Sequence, residues 1–260
     1  MKTAVQTLQE MKQRREKIAV LTGYDFFTAK LLDEAGVPVI LVGDSLGMVV
    51  LGYANTWSVT MDEMLHHVRA VARAKPQALI VADMPIHTYD TVADAVANAQ
   101  RFVEAGAEAV KLEGADAVLP QVRAVIGAGI PVWGHIGLLP QSATKYKLQG
   151  RTAESAAQLL HDAQVLEAAG VVAIVVECVV AAVAQQISKA IKVPIIGIGA
   201  GAGCDGQVLV VHDMLGLFTR FTPKHVKRYA NLADEMRAAF TAYKHDVESG
   251  KFPSPEQSFG

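Results

Sequence analysis

Short apolar runs rich in β-branched residues alternate along the chain with longer segments of helical period. The runs are Ile18–Thr22, Val39–Val42, Leu79–Ala82, Ala109–Leu112, Val132–His135, Val171–Val176, Ile195–Ile198 and Val208–Val211. They predict eight strands. Between them, Met61, Met64, Leu65, Val68, Val71 and Ala72 fall on one helical face, as do Val92, Ala95, Val96, Ala99 and Val103, which predicts crossover helices. Thr60 with Glu63 spells a capping box, and Ala35-Gly36, Ala105-Gly106, Ala128-Gly129 and Ala169-Gly170 each end a helical stretch just before a strand. Near-continuous apolar strands belong to a parallel sheet covered on both faces. Eight βα units therefore predict a closed (βα)₈ barrel, with an open doubly wound sheet as the alternative. One joint is irregular: only Gly199–Gln207 separates the last two runs, too short for a full helix.

With 260 residues, 51% of them apolar, the chain can bury one large core. No linker, repeat or low-complexity tract divides it, so residues 1–260 are expected to form one barrel domain. An N-terminal helix (about 3–15) and a C-terminal helix with a tail (about 223–260) are the expected additions. The last helix carries Leu232, Met236, Phe240, Tyr243 and Val247 before Gly250. A formal charge of -2 and a pI near 6.4, with basic residues scattered singly, argue against a nucleic-acid partner. The opening MKTAVQTLQEMKQRREK has no apolar signal core and reads as a polar helix, so a cytoplasmic location is expected. The most apolar stretch, Val171–Ala184, is interrupted by Glu177 and falls short of the roughly 18 apolar residues of a membrane span. Cys178 and Cys204 lack metal-ligand spacing and read as reduced thiols.

Charged residues are missing from most strand interiors but recur at consecutive strand ends, where a barrel of this class carries its active site. Asp44 follows the second run, Asp83 the third, Lys111 and Glu113 lie on the fourth, His135 on the fifth, and Glu177 follows the sixth. Lys111 and Glu113 are two apart and project to one side of an extended strand, toward the mouth. An Asp after a strand is as often a helix cap as a ligand, and Lys111 with Glu113 could form a structural ion pair. Burying all of these groups for structure alone would be costly, so their joint recurrence favours function. An oxygen-rich set with one His and no Cys suits a hard cation, Mg²⁺ rather than Zn²⁺. Elsewhere, GIGAGAG at Gly197–Gly203 reads as a tight turn, with a phosphate cradle the alternative. His66 and His67 read as surface or packing residues, and His212 receives no role.

These residues lie in motifs that resemble the ketopantoate hydroxymethyltransferase family: VGDSLGMVVLG (Val42–Gly52), ADMP (Ala82–Pro85), KLEG (Lys111–Gly114), GHIGLLPQS (Gly134–Ser142), VVEC (Val175–Cys178), GIGAG and DGQVLVVHDMLG (Gly197–Gly216). They occur in order from about Leu21 onward, each unspecific alone and strong together. The resemblance implies a TIM barrel of the phosphoenolpyruvate mutase/isocitrate lyase superfamily, Mg²⁺, 5,10-methylenetetrahydrofolate as one-carbon donor, 3-methyl-2-oxobutanoate as acceptor, and a homodecamer built as a pentamer of dimers. It implies Asp44 and Asp83 as metal ligands that also contact substrate, with Glu113 at the metal directly or through water. Ser45 and Lys111 become contacts of the substrate carboxylate, His135 the substrate-side histidine and Glu177 the catalytic base. The product would be 2-dehydropantoate, on the route to pantothenate and coenzyme A.

Two departures from the family pattern stand out. Val180 occupies the place where an ECVP run would have proline, which points to a looser turn after Glu177. The segment LLPQSATKYKLQGR is short and lacks a Gly-Gly, which points to an altered lid over the folate side. A carbon–carbon lyase or mutase of the same superfamily would carry a reactive Cys where this chain has GHIGLLPQS. A non-catalytic 2-oxo-acid-binding homologue need not keep Glu177, Lys111 and both Asp residues.

Overall fold

The computed structural model describes residues 2–259. Chain contacts divide it into two units, one ending at Val210 and one running from Val211 onward. In the first unit eight parallel strands close into a barrel in sequence order: β1 (Ile18–Thr22), β2 (Val39–Val42), β3 (Leu79–Asp83), β4 (Ala109–Glu113), β5 (Val132–Gly137), β6 (Ala173–Glu177), β7 (Ile195–Ile198) and β8 (Gly206–Leu209). Its helices are α1 (Val5–Gln13), α2 (Phe26–Glu34), α3 (Leu46–Val49), α4 (Met61–Arg73), α5 (Val92–Ala105), α6 (Leu119–Gly127), α7 (Ala153–Ala169) and α8 (Ala181–Ala190). The open doubly wound sheet is excluded by the pairing of β1 with β8.

Local signals place these elements. The α4 capping box forms as expected, with Glu63 N–H donating to Thr60 Oγ1 and Thr60 N–H to Glu63 Oε2. Gly106 and Gly170 take the left-handed conformation that ends α5 and α7. The Gly199–Asp205 joint carries no helix, and β8 starts at Gly206, two residues before its apolar run, because Gly206 and Gln207 pair with Ile18 and Ala19. Gly201 in this joint has φ +79 and its Cα approaches α8 so closely that a Cβ would lie 2.5 Å from that of Ala181. Tight packing thus accounts for the glycine run.

Alternate residues of all eight strands meet in one buried cluster: Ile18 and Val20, Val39 and Leu41, Leu79 and Val81, Ala109, Trp133, Ala173 and Val175, Ile196, and Val208. Leu8 of α1 joins it at the N-terminal end. Followed toward the strand C-termini, the same parity gives Asp83, then Lys111 and Glu113, then His135, then Glu177. The barrel interior is therefore an apolar plug below and an ionisable layer above. Strands β3 to β6 each run one or two residues past their apolar stretch, because the backbone ladder continues through these polar residues.

The second unit contains α9 (Val211–Met214) and α10 (Leu232–Glu248). No residue of α10 is buried, and Met236, Phe240, Tyr243 and Val247 expose 43, 63, 60 and 47% of their surface. No helix among the described residues is long and apolar enough to cross a membrane.

Candidate active site

Strand register assembles the ionisable layer. Asp83 lies opposite Lys111 and Glu113 opposite His135, so adjacent strands bring opposite charges together on the inward face. Lys111 Nζ sits 3.1 Å from Asp83 Oδ1 and 3.1 Å from His135 Nδ1. His135 stands between two carboxylates, with Nδ1 at 3.4 Å from Glu113 Oε1 and Nε2 at 3.3 Å from Glu177 Oε2. Lys111 thus pairs with Asp83, and the structural pair with Glu113 considered from the sequence is not the arrangement formed. Asp44, just past β2, donates its backbone N–H to Asp83 Oδ2 at 3.1 Å. The preceding Gly43 permits this approach: a Cβ there would lie 2.9 Å from Ser45 Oγ and 3.3 Å from Asp83 Oδ2. Ser45 is half-buried beside the acids, its Oγ 2.9 Å from Tyr24 Oη.

The layer has more anions than cations. Asp44, Asp83, Lys111, Glu113 and His135 are all buried, while Glu177 keeps 16% of its side chain exposed and is the most open acid. Burial, then the nearby Asp83 and Glu113, pushes the Asp44 carboxyl up to about 8. Burial also raises Asp83, against the pull of Lys111. For Lys111 burial favours the neutral form, but Asp83, Glu113 and Asp44 outweigh it and hold the ammonium above its ordinary value. Burial raises Glu113 as well, yet His135 overrides it and keeps this carboxyl low. Burial and Lys111 oppose protonation of His135, but Glu113 and Glu177 prevail and lift it to about 9. That direction favours the cationic ring, a partner for the two flanking carboxylates.

The residue after Glu177 shapes its presentation. Cys178 adopts φ +49, rare for a side-chain-bearing residue, donates its N–H to Ile198 O at 2.8 Å and accepts from Gln149 N at 2.7 Å. Val180 does not loosen this turn as its replacement of proline suggested. Its φ is −53, close to the proline value, and its N–H donates to Gln149 O at 3.0 Å, a bond proline could not make. The Cys178 thiol is itself pushed up to about 11 by burial and Glu177, which makes it a poor nucleophile.

A family model described as ketopantoate hydroxymethyltransferase matches residues 2–255. The chain belongs to this family. Curated relatives named 3-methyl-2-oxobutanoate hydroxymethyltransferase include that of Moorella thermoacetica, 57% identical over 97% of this chain and 96% of that protein. The protein of that name from Enterococcus faecalis is 53% identical over 100% of this chain and 96% of its own length. Among solved structures, phosphonopyruvate hydrolase in complex with oxalate and Mg²⁺ aligns with TM-score 0.66 at 15% identity, covering 99% of this chain and 93% of that one. 2,3-Dimethylmalate lyase, a PEP mutase/isocitrate lyase superfamily member, gives 0.61 at 16%, covering 98% and 93%. The fold is the (βα)₈ barrel that these structures share.

For a ketopantoate hydroxymethyltransferase family member, the residues singled out from the sequence converge well. Asp44, Asp83, Lys111, Glu113, His135 and Glu177 form one connected set at the strand C-termini, with Ser45 at its edge. His66 and His67 lie on α4, and His67 Nδ1 contacts Tyr24 O at 2.6 Å. Sequence reasoning missed Gln141 and Tyr89. Gln141 is buried and bonded to both Asp44 and Glu113, yet its only sequence signal is its place in GHIGLLPQS. Beside the mouth, the segment from Gly137 to Gln149 walls a cleft of about 380 Å³ that includes Lys145 and Lys147.

Proposed function

We propose that the chain transfers a hydroxymethyl group from 5,10-methylenetetrahydrofolate to 3-methyl-2-oxobutanoate, giving ketopantoate for pantothenate synthesis. The observation that carries this reading is the excess of buried carboxylates over cations at the mouth of a barrel from this family. Asp44 and Asp83, whose carboxyls burial holds high, fit a divalent cation. Carboxylates placed at the ends of separate strands suit an ion that keeps waters and takes substrate oxygens. Mg²⁺ fits this donor set, with Asp44 and Asp83 as the residues that would hold it and Glu113 close by. When bound, it supplies Lewis acidity to the keto oxygen of the 2-oxo acid.

The protein's own residues supply the rest. Lys111 and the Ser45 hydroxyl hold the substrate carboxylate by charge-assisted and neutral hydrogen bonds. Glu177, open to the mouth and not committed to a lysine or arginine, accepts the C3 proton. His135, set between Glu113 and Glu177 at 3.4 and 3.3 Å, fixes the Glu177 carboxylate for that step. The resulting carbanion attacks the methylene carbon of the donor, and water releases tetrahydrofolate. The cleft walled by residues 137–149 supports a donor site next to Glu177, since Gly137 lies opposite Glu177 in the sheet. The exposed apolar face of α10 supports assembly into a homo-oligomer, in line with the decamer implied by resemblance, and a cytoplasmic location accords with this metabolism.

The direct test is turnover of 3-methyl-2-oxobutanoate with methylenetetrahydrofolate, with and without Mg²⁺. Ketopantoate should appear only when all three are present. Turnover of a dicarboxylate or phosphonate by carbon–carbon or carbon–phosphorus cleavage, without ketopantoate formation, would reassign the chain to another reaction of the superfamily.

A further inference from the structure

Gln141 lies in the segment after β5 and is 4% exposed. Its side-chain amide donates one hydrogen to Asp44 Oδ2 at 2.8 Å and the other to Met84 O at 2.9 Å. Its Oε1 accepts from the Tyr89 hydroxyl at 2.5 Å, and its backbone N–H donates to Glu113 Oε2 at 3.1 Å. Both amide hydrogens and one oxygen lone pair are therefore used, in a single possible orientation. Flipping the amide would place Oε1 against the Met84 carbonyl, which can only accept. The Tyr89 hydroxyl is itself buried and near Glu113, conditions that keep it protonated and a donor.

We propose that Gln141 is a positioning residue for the divalent cation: it selects which oxygens of Asp44 and Glu113 face the site, and Tyr89 locks its amide. By occupying Asp44 Oδ2 it leaves Oδ1 for the cation, and by occupying Glu113 Oε2 it leaves Oε1 toward His135 at 3.4 Å. One residue thus orients two carboxylates, one just past β2 and one on β4, and ties both to the segment that walls the neighbouring cleft. The inference rests on the metal reading given above. A merely structural glutamine, filling space and satisfying buried groups, would affect melting but not the affinity of the folded protein for a cation.

The experiment titrates Mn²⁺ alone into the full chain, read by electron paramagnetic resonance of the free ion, for the parent, Gln141→Met and Tyr89→Phe, with thermal melting alongside. Gln141→Met keeps the volume and removes the side-chain hydrogen bonds, so Mn²⁺ binding should weaken by about 10–100-fold, as for other groups that orient ligands. Tyr89→Phe should weaken it by a smaller factor in the same direction. In turnover, the Gln141→Met deficit should be largely recovered at high cation concentration, raising the cation's KM more than it lowers kcat. Mn²⁺ affinity within twofold of the parent in folded Gln141→Met would overturn the proposal. If Gln141→Met does not fold, Tyr89→Phe decides: a lower melting temperature with parental Mn²⁺ affinity overturns it. A parent that binds no Mn²⁺ would instead overturn the metal reading beneath it.

Discussion

At the N-terminal end of the barrel, Lys12 on α1 donates to Asp205 Oδ2 at 2.6 Å and to the carbonyls of Ser188 and Val193 at 3.0 and 2.9 Å. Asp205 Oδ2 also accepts from Ile195 N at 2.9 Å. One cation meets one anion, and the lysine's three donors are all used. At the C-terminal mouth Lys111 also sits beside an aspartate, but there the four acids Asp44, Asp83, Glu113 and Glu177 share two cationic side chains among the described residues, Lys111 and His135. Asp83 Oδ1 and His135 Nε2 face their charged neighbours without an aligned hydrogen bond. The same residue types thus make a closed joint at one end and an open, anion-rich receptor at the other. What separates structure from function is how the charges balance and whether their bonding capacity is filled, more than burial itself.

That contrast can be broken from either end. Asp83→Ala should have the largest effect: divalent affinity and turnover should fall together by about 100-fold or more, beyond the loss typical of a residue that only orients a ligand. Circular dichroism should show the barrel intact. Unchanged Mg²⁺ dependence in the folded variant would take Asp83 out of the metal site. Lys111→Met should raise KM for the 2-oxo acid by about 10–100-fold, the range for losing a charge-assisted contact held equally in ground and transition states. A fall in melting temperature with KM unmoved would make Lys111 a second closed joint. Lys12→Met should do the reverse, lowering stability by about 2–3 kcal/mol, since this pair is only partly screened by water, while steady-state kinetics stay parental.

The smallest effect concerns pH. Asp44 and His135 both hold their protons more tightly in the folded chain, at about 8 and about 9. Groups with raised folded values contribute stability that is complete below their unfolded values and declines as pH rises through the folded ones. In the presence of chelator, the melting temperature should therefore drift down between about pH 6 and pH 9. A melting temperature that rises over that window would mean that the mouth is not short of positive charge.

Much of this was legible in the sequence because a parallel strand buried on both faces must be apolar along its length. Strands such as Val39–Val42 and Ile195–Ile198 therefore stand out with their observed bounds. Strand ends were less legible at the site itself, where Asp83, Glu113 and Glu177 interrupt hydrophobicity while their backbones continue the ladder. Inter-strand register has no local signature, so the choice of Lys111 for Asp83 over Glu113 emerged only with the barrel. Gln141 was hidden for a similar reason. A neutral amide in a loop looks like solvent-exposed turn chemistry until the fold carries it back onto Asp44 and Glu113.

The central claim is that the open mouth makes a carbanion from the 2-oxo acid with Glu177 as the base. NMR of 3-methyl-2-oxobutanoate in deuterated solvent, with the parent and Mg²⁺ but no folate, follows that step alone. The account predicts exchange of the C3 proton by the parent, and a loss of about 100-fold or more in Glu177→Gln, which keeps the shape and cannot accept the proton. Glu177→Gln exchanging as fast as the parent would contradict it.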